Sequence, residues 1–166
     1  NDIVTLEEDI EQIEKYLYIQ KTRFGERLHY EFDISSDTLK CRILKLLIQP
    51  IVENSINHGI EMKRGQGIVR ITSGVSGDRL FIRVEDNGIG MDEEQLSRLL
   101  LDEPAYGPIR KSTRLGINNV NRRIKMYYGD DYGLKIQSGI DTGTCVDIFL
   151  PVILEDEANH ENTDSR

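Results

Sequence analysis

Residues 80–91 read Leu80-Phe81-Ile82-Arg83-Val84-Glu85-Asp86-Asn87-Gly88-Ile89-Gly90-Met91. The stretch Leu80 to Val84 is rich in β-formers and predicts a strand, Asp86 stands just past it, and two closely spaced glycines precede a helical pattern over Asp92 to Leu101. Immediately upstream, Ile68 to Thr72 is a second β-rich run, and Gly74-Val75-Ser76-Gly77-Asp78 between the two is a turn signal, so they predict an antiparallel pair.

Working outward, Leu28, Tyr30, Phe32 and Ile34 alternate with His29, Glu31 and Asp33, the pattern of a strand with one buried face. Before it, Thr5 and Glu8 form a capping box, and Leu6, Ile10, Ile13, Tyr16 and Leu17 recur at helical spacing up to Phe24, where Gly25 breaks the helix. From Ile43 to His58 an apolar stripe through Leu44, Leu47, Ile48, Ile51, Val52 and Ser55 predicts a helix kinked at Pro50, which lacks an N–H. Downstream, Pro104 to Thr113 reads as a loop. Gly116 to Tyr128 returns to helical periodicity through Ile117, Val120, Ile124 and Tyr127, with Gly129 ending it. Leu134 to Ser138 and Thr144 to Leu150 flank the turn Asp141-Thr142-Gly143 as two last strands. The order α, β, α, β, β, α, α, β, β predicts an α+β two-layer sandwich and not a doubly wound parallel sheet.

The 166 residues suffice for one domain with a proper core, and 38% hydrophobic and 30% charged residues are globular usage. A formal net charge of −8, with no basic cluster free of acids, argues against nucleic acid as a partner. Cys41 and Cys145 lie far apart without metal-ligand spacing, which fits a reducing cytoplasm. A polar tail follows Leu154 and is expected to be disordered.

Three segments carry candidate chemistry. In Asp86-Asn87-Gly88-Ile89-Gly90-Met91 the glycines allow close backbone approach and Asp86 offers an acceptor for an adenine amino group; a plain glycine turn after a strand-end aspartate is the competing account. In the upstream helix, Asn54, Asn57 and His58 project from one side by their i, i+3, i+4 spacing, either into a polar pocket or onto a solvated face. An asparagine oxygen is a hard ligand suited to Mg²⁺. Leu115-Gly116-Ile117-Asn118 starts a helix at a glycine, and a helix N-terminus attracts phosphate, weakly when taken alone.

In this order the three segments resemble the GHKL ATP-binding superfamily of histidine kinases, DNA gyrase, Hsp90 and MutL. The resemblance is to the YesM/LytS type of bacterial sensor kinase, through Thr5-Leu6-Glu7-Glu8, Tyr16-Leu17, Gln20-Lys21, Arg23-Phe24-Gly25, Gln49-Pro50 and Val52-Glu53-Asn54, over about residues 4 to 151. It implies a Bergerat-type ATP-binding fold, with a mixed, mostly antiparallel sheet covered by helices on one face. It also implies three regions: residues 1–24 as a linker helix from a dimerisation and phosphoacceptor region, 25–154 as the catalytic domain, and 155–166 as an acidic tail.

By that resemblance Asn54 is the Mg²⁺ ligand of the N box, Asp86 the adenine acceptor, and Gly88 and Gly90 the first glycine box. Gly116 belongs to the second box beside the phosphates, and Thr144 supplies a hydroxyl that helps fix adenine through Asp86 and a water; a plain strand-starting threonine is the alternative. The implied ATP-binding set is Asn54, Asn57, His58, Asp86, Gly88, Gly90, Met91, Arg114, Leu115, Gly116 and Thr144, with Met91 to Arg114 as a lid whose Gly107, Pro108, Lys111 and Arg114 fit a mobile loop.

The chain departs from the pattern at Asn57, where a lysine is usual, at Arg114, where a glycine is usual, and at Pro50, where related ATPases carry a water-activating glutamate. The implied activity is transfer of the ATP γ-phosphoryl group to a histidine outside these residues, since His29, His58 and His160 all lack an acceptor's context. The implied partners are the phosphoacceptor domain of the same kinase, a second copy in a homodimer, and a response regulator. The implied setting is the cytoplasmic part of a bacterial inner-membrane sensor. An ATPase clamp and a non-catalytic nucleotide-sensing module are the rival readings, the clamp disfavoured by Pro50.

Overall fold

The computed structural model describes residues 2–100 and 114–154; the expected loop at 104–113, most of the expected lid and the tail from 155 lie outside the described residues. Helix α1 (Leu6–Phe24) follows a short strand β1 (Ile3–Thr5), and its start is fixed as the sequence predicts, with the Glu8 N–H donating to Thr5 Oγ1 at 3.2 Å. Gly25, at φ 60°, ends it in a backbone conformation that costs a side-chain-bearing residue strain. Leu6, Ile13 and Leu17 are fully buried and join the main core.

Five strands form the principal sheet in the order β2-β4-β5-β7-β6: β2 (Leu28–Ile34), β4 (Gly67–Ser76), β5 (Arg79–Asp86), β7 (Gly143–Pro151) and β6 (Gly133–Gly139), with β3 (Arg42–Leu44) pairing β1 apart from it. All pairings in this sheet are antiparallel except β2 with β4, whose connection must cross over and contains the second helical segment. Val69, Ile71, Leu80, Ile82, Val84, Val146, Ile148 and Leu150 are buried on one face, against the helices. Arg70, Arg79 and Arg83 occupy the other, exposed face, so the two-layer α+β architecture expected from the sequence is the one observed.

The predicted antiparallel pair is present and longer than expected, because Gly74, Val75 and Ser76 belong to β4 and leave a tight turn at Gly77 and Asp78. The predicted helix over Ile43 to His58 is corrected. Ile43 and Leu44 lie in β3, Leu46 takes a positive φ of 64°, and helix α2 begins only at Gln49 (Gln49–Asn54). Pro50 therefore kinks nothing: it sits in the first turn, where a missing N–H costs no bond, while the Ile51 and Val52 N–H groups both reach the Ile48 carbonyl. Buried strand and turn residues imitated a helical stripe, since Leu44, Leu47 and Ile48 are all core residues.

Past Asn54 the helix widens into a π-helical turn over Ser55–Ile60, with the Glu61 N–H bonding the Ile56 carbonyl at 2.9 Å. Helix α3 (Glu93–Leu100) agrees with expectation, with Asp92 and Gln95 bonding each other's backbone N–H across its first turn. Helix α4 (Arg114–Tyr128) starts two residues before Gly116, which is thus inside the helix and not at its first residue.

Candidate functional site

Asp86 is the last residue of β5, and strand parity decides where it points. It shares a face with Leu80, Ile82 and Val84, so its carboxylate enters the layer between sheet and helices and is only 9% exposed. Three donors meet it there: the Gly88 N–H at 2.9 Å from Oδ1, the Ser55 hydroxyl and the Thr144 N–H. Burial raises the Asp86 pKa above the ordinary carboxylate range, while those three bonds and the nearby Lys63 charge oppose the shift. Lys63 is anchored by donating from Nζ to the Asn87 carbonyl at 2.6 Å.

The turn after Asp86 is fixed on every side. The Ile68 N–H donates to Asn87 Oδ1 at 2.7 Å, the Ile89 N–H to the Gly59 carbonyl at 3.3 Å, and the Asp141 N–H to the Ile89 carbonyl at 2.8 Å. Its glycines are explained by packing. A Cβ on Gly88 would stand 2.3 Å from the Gly59 Cα, and one on Gly90, at φ 68°, would stand 1.9 Å from the Gly139 oxygen. Packing therefore requires a glycine at both positions, and at Gly88 it is the Gly59 backbone that leaves no room for a side chain.

A cleft opens beside this turn, lined by Asn54, His58, Gly59, Asp86, Gly90, Met91 and Thr144. Six residues of the expected set thus come together. Asn57, Gly88 and Gly116 are not among the lining residues; Gly116 faces Pro50 instead, with 3.5 Å between its notional Cβ and the Pro50 Cβ. Arg114 begins α4, and the side chains of Arg114 and Leu115 lie outside the described residues. The π-helical turn explains Asn57: an i→i+5 turn rotates less per residue than an α-helix, so residue 57 falls short of the face that 54 and 58 share.

Asn54, one of the residues that line the cleft, is 7% exposed, and its Oδ1 is a buried acceptor without a partner among the described residues. Such an atom costs about 1–3 kcal/mol unless something satisfies it. Glu53, its neighbour, turns instead toward Gln49, whose Nε2 donates to it at 3.2 Å.

Three contributors were missed in the sequence. Ser55 was read as part of an apolar stripe yet donates to Asp86, and Gly59, just past the predicted helix, has Asp86 Oδ1 3.0 Å from its notional Cβ. Ser138, on β6, was read only as a strand residue. Its Oγ accepts from the Met91 N–H, donates to the Gly143 carbonyl and meets Thr144 Oγ1, each at 2.9 Å.

A strand-end carboxylate buried behind a glycine turn, facing an asparagine from a helix across a polar cleft, defines a class of nucleotide-binding domain. The chain belongs to the histidine kinase-, DNA gyrase B- and HSP90-like ATPase family, whose pattern residues 40–154 match. Within it the sequence is similar to the sensor histidine kinase YpdA of Escherichia coli strain K12, at 34% identity over 148 residues, covering 89% of this chain and 24% of that protein. It is similar as well to the sensor histidine kinase YesM of Bacillus subtilis strain 168, at 35% over 150 residues, covering 90% of this chain and 24% of that protein. The chain spans about a quarter of the length of these relatives. Its fold is that of the histidine kinase domain of the blue-light activated histidine kinase of Erythrobacter litoralis, with a TM-score of 0.62 at 20% identity over 96% of this chain and 65% of that one.

Proposed function

We propose that the cleft binds ATP with Mg²⁺ and that the chain is the catalytic domain of a sensor histidine kinase, delivering the γ-phosphoryl group to a histidine elsewhere in the kinase. The observation that carries this reading is that one cleft is lined both by Asn54, whose buried Oδ1 has no partner among the described residues, and by Asp86.

In this reading Asp86 accepts from the adenine amino group, and Thr144 lies beside it. Asn54 offers its oxygen to the metal; the donor chemistry fits, because a neutral amide oxygen suits a hard cation that takes its other ligands from phosphates and water. Bound Mg²⁺ supplies charge neutralisation at the phosphates. His58 and Gly90 bound the cleft and orient what lies in it, and Met91 leads toward the lid segment. Phosphoryl transfer needs mainly this positioning.

The acceptor histidine lies outside this chain. His58 lines the cleft itself, and on β2 His29 Nε2 lies 2.8 Å from Gln66 Nε2, so neither stands free for in-line attack. Helix α1 then continues from the acceptor and dimerisation region of a homodimeric, membrane-associated sensor whose kinase part faces the cytoplasm. A response regulator takes the phosphoryl group onward. A water-activating ATPase is disfavoured: Pro50 occupies the first turn of α2, one turn before Asn54, where a base would be needed.

The test supplies γ-labelled ATP, Mg²⁺ and the histidine-bearing part of the kinase, and follows label on imidazole. Label is expected with the native chain and lost in Asn54→Ala, with adenosine binding kept in that variant. Phosphate release without transfer would overturn the kinase reading in favour of a clamp, and ATP binding without either product would overturn it in favour of a sensing module.

A further inference from the structure

We propose that the acidic segment 155–164 folds back onto a cationic and apolar surface made by Lys45, Leu46, Arg123, Met126 and Tyr127, and serves there as an internal cover. This goes beyond the nucleotide reading above and does not depend on it.

The chain carries a net charge of −8, yet the fold gathers cations in one place. From Leu39 to Val52 the sequence holds Lys40, Arg42 and Lys45 and no acid, and from Asn118 to Tyr128 it holds Arg122, Arg123 and Lys125 and again no acid. These two segments meet. Arg123 donates from Nη1 to the Leu46 carbonyl at 3.2 Å and from Nη2 to the Lys45 carbonyl at 3.0 Å, and the Leu44 N–H donates to the Tyr128 hydroxyl at 3.1 Å. Among the described residues no carboxylate pairs with Lys45 or Arg123. Met126 and Tyr127 lie one turn past Arg123 on the same face of α4, and they are 81% and 58% exposed. Leu46 beside them is 51% exposed although its backbone is left-handed, at φ 64°, where a side chain costs strain that glycine would avoid. A strained leucine half in solvent adds little to the core and gains from whatever covers it.

A surface of this kind favours an acidic partner, and the described chain ends beside it. The Lys45 N–H and the Cys41 carbonyl bond Asp2 and Leu6 on the β1 side, so Arg42 and Leu44 turn their N–H groups to the opposite edge of β3. On that edge the Arg42 N–H donates to the Ile153 carbonyl at 2.8 Å, and the Tyr128 hydroxyl, at the end of α4, accepts from Leu44. The two anchor points are two strand residues, or about 7 Å, apart. Residues 155–166, which follow directly, carry Glu155, Asp156, Glu157, Glu161 and Asp164 against a single arginine. Fully extended they span about 40 Å, ample for a gap of that order. Their tether supplies an effective concentration on the order of 1 mM, so even weak contacts suffice to hold them.

Two exposed methionines make the test internal. Met126 is 81% exposed and Met62, outside this surface, is 65% exposed, so without a cover peroxide should oxidise Met126 at least as fast as Met62. Peptide mass spectrometry reads the ratio of the two rates in the full chain, in a chain ending at Leu154, in Lys45→Glu, and in a full-length variant carrying Glu155→Gln, Asp156→Asn and Glu157→Gln. Ending the chain at Leu154 should raise the ratio about fourfold, if a free peptide of residues 155–166 binds with a Kd of about 0.3 mM against a tethered concentration of about 1 mM. Adding that peptide should lower the ratio again. The triple variant and Lys45→Glu should raise it part of the way, as should about 1 M salt on the full chain, where the screening length is about 3 Å. An equal ratio in the full and shortened chains would overturn the proposal, and if the shortened chain does not fold, an unchanged ratio in the triple variant would do so. Protection of Met126 that grows with protein concentration would assign the cover to a second copy and overturn the internal reading. Sedimentation of the full chain with phosphatidylserine vesicles, undiminished by the tail, would make the surface a membrane contact and overturn it as well.

Discussion

Replacing Asp9 by asparagine should stabilise the domain above pH 6 and leave it little changed near pH 4. Asp9 stands in the first turn of α1, where a carboxylate normally gains from the helix N-terminus, yet it is 7% exposed and its Oδ2 has no partner among the described residues. Burial raises its pKa from 3.8 to about 6. The folded state thus holds this proton more tightly than the unfolded chain does. The stability so gained is fully present below about pH 3.8 and is lost as pH rises through about 6. A shift of roughly two units corresponds to about 3 kcal/mol of penalty on the ionised form at neutral pH. Asparagine imitates the protonated acid but brings an NH₂ group that needs partners, at a cost of about 1 kcal/mol. The net gain expected at pH 8 is therefore about 1–2 kcal/mol. Urea unfolding of both proteins at pH 8 and pH 4 gives the double difference, in which all other titrating groups cancel. A gain of equal size at both pH values, or a loss confined to pH 8, would refute the reasoning.

Gly88→Ala, whose Cβ would meet the Gly59 Cα at 2.3 Å, should lower the melting temperature sharply. Gly116→Ala, with 3.5 Å to the Pro50 Cβ inside a helix, should raise stability by about 0.5–1 kcal/mol; thermal melts of the two variants check both. Lys63→Met removes a charge that lowers the Asp86 pKa, and with it the bond to the Asn87 carbonyl. In the proposed reading an ionised Asp86 is the stronger acceptor, so nucleotide affinity should begin to fall at a higher pH as solutions are acidified. Lys63→Arg should move that limb less in a pH series of calorimetric titrations.

The part of the site carried by strand parity could be read in advance. Asp86 follows Val84 and Ile82 at period two, so the strand that buries those residues also buries the carboxylate. Helix α1 was legible at both ends because Thr5 and Gly25 act locally, one through its hydroxyl and the other through its backbone freedom. The segment from Arg42 to Ile60 was not legible. A three-residue strand, a positive φ at Leu46 and a π-helical turn each displace the apolar pattern slightly, and together they imitate one kinked helix. Gly59 against Gly88 was hidden for a different reason: which glycine lacks a side chain for a neighbour's sake depends on contacts between residues 29 positions apart in the chain.

These observations meet at the junction between sheet and helix layer. The core around it is apolar, with Ile56, Ile60, Val69 and Val84 fully or almost fully buried, yet two oxygen acceptors, on Asn54 and Asp86, are placed at the same opening. Asp86 is largely satisfied from within by three donors, and Asn54 is not. A domain selected only for stability would replace Asn54 with an apolar residue and recover about 1–3 kcal/mol. The α2 helix instead carries it at the point where the backbone widens, and the widening keeps Asn54 and His58 on the cleft while turning Asn57 away. In the proposed reading that oxygen gains its partner when a donor or a cation enters the cleft. On that reading its cost in the empty domain is offset in the loaded one, and Mg²⁺-nucleotide should raise the stability of the fold with the logarithm of its concentration.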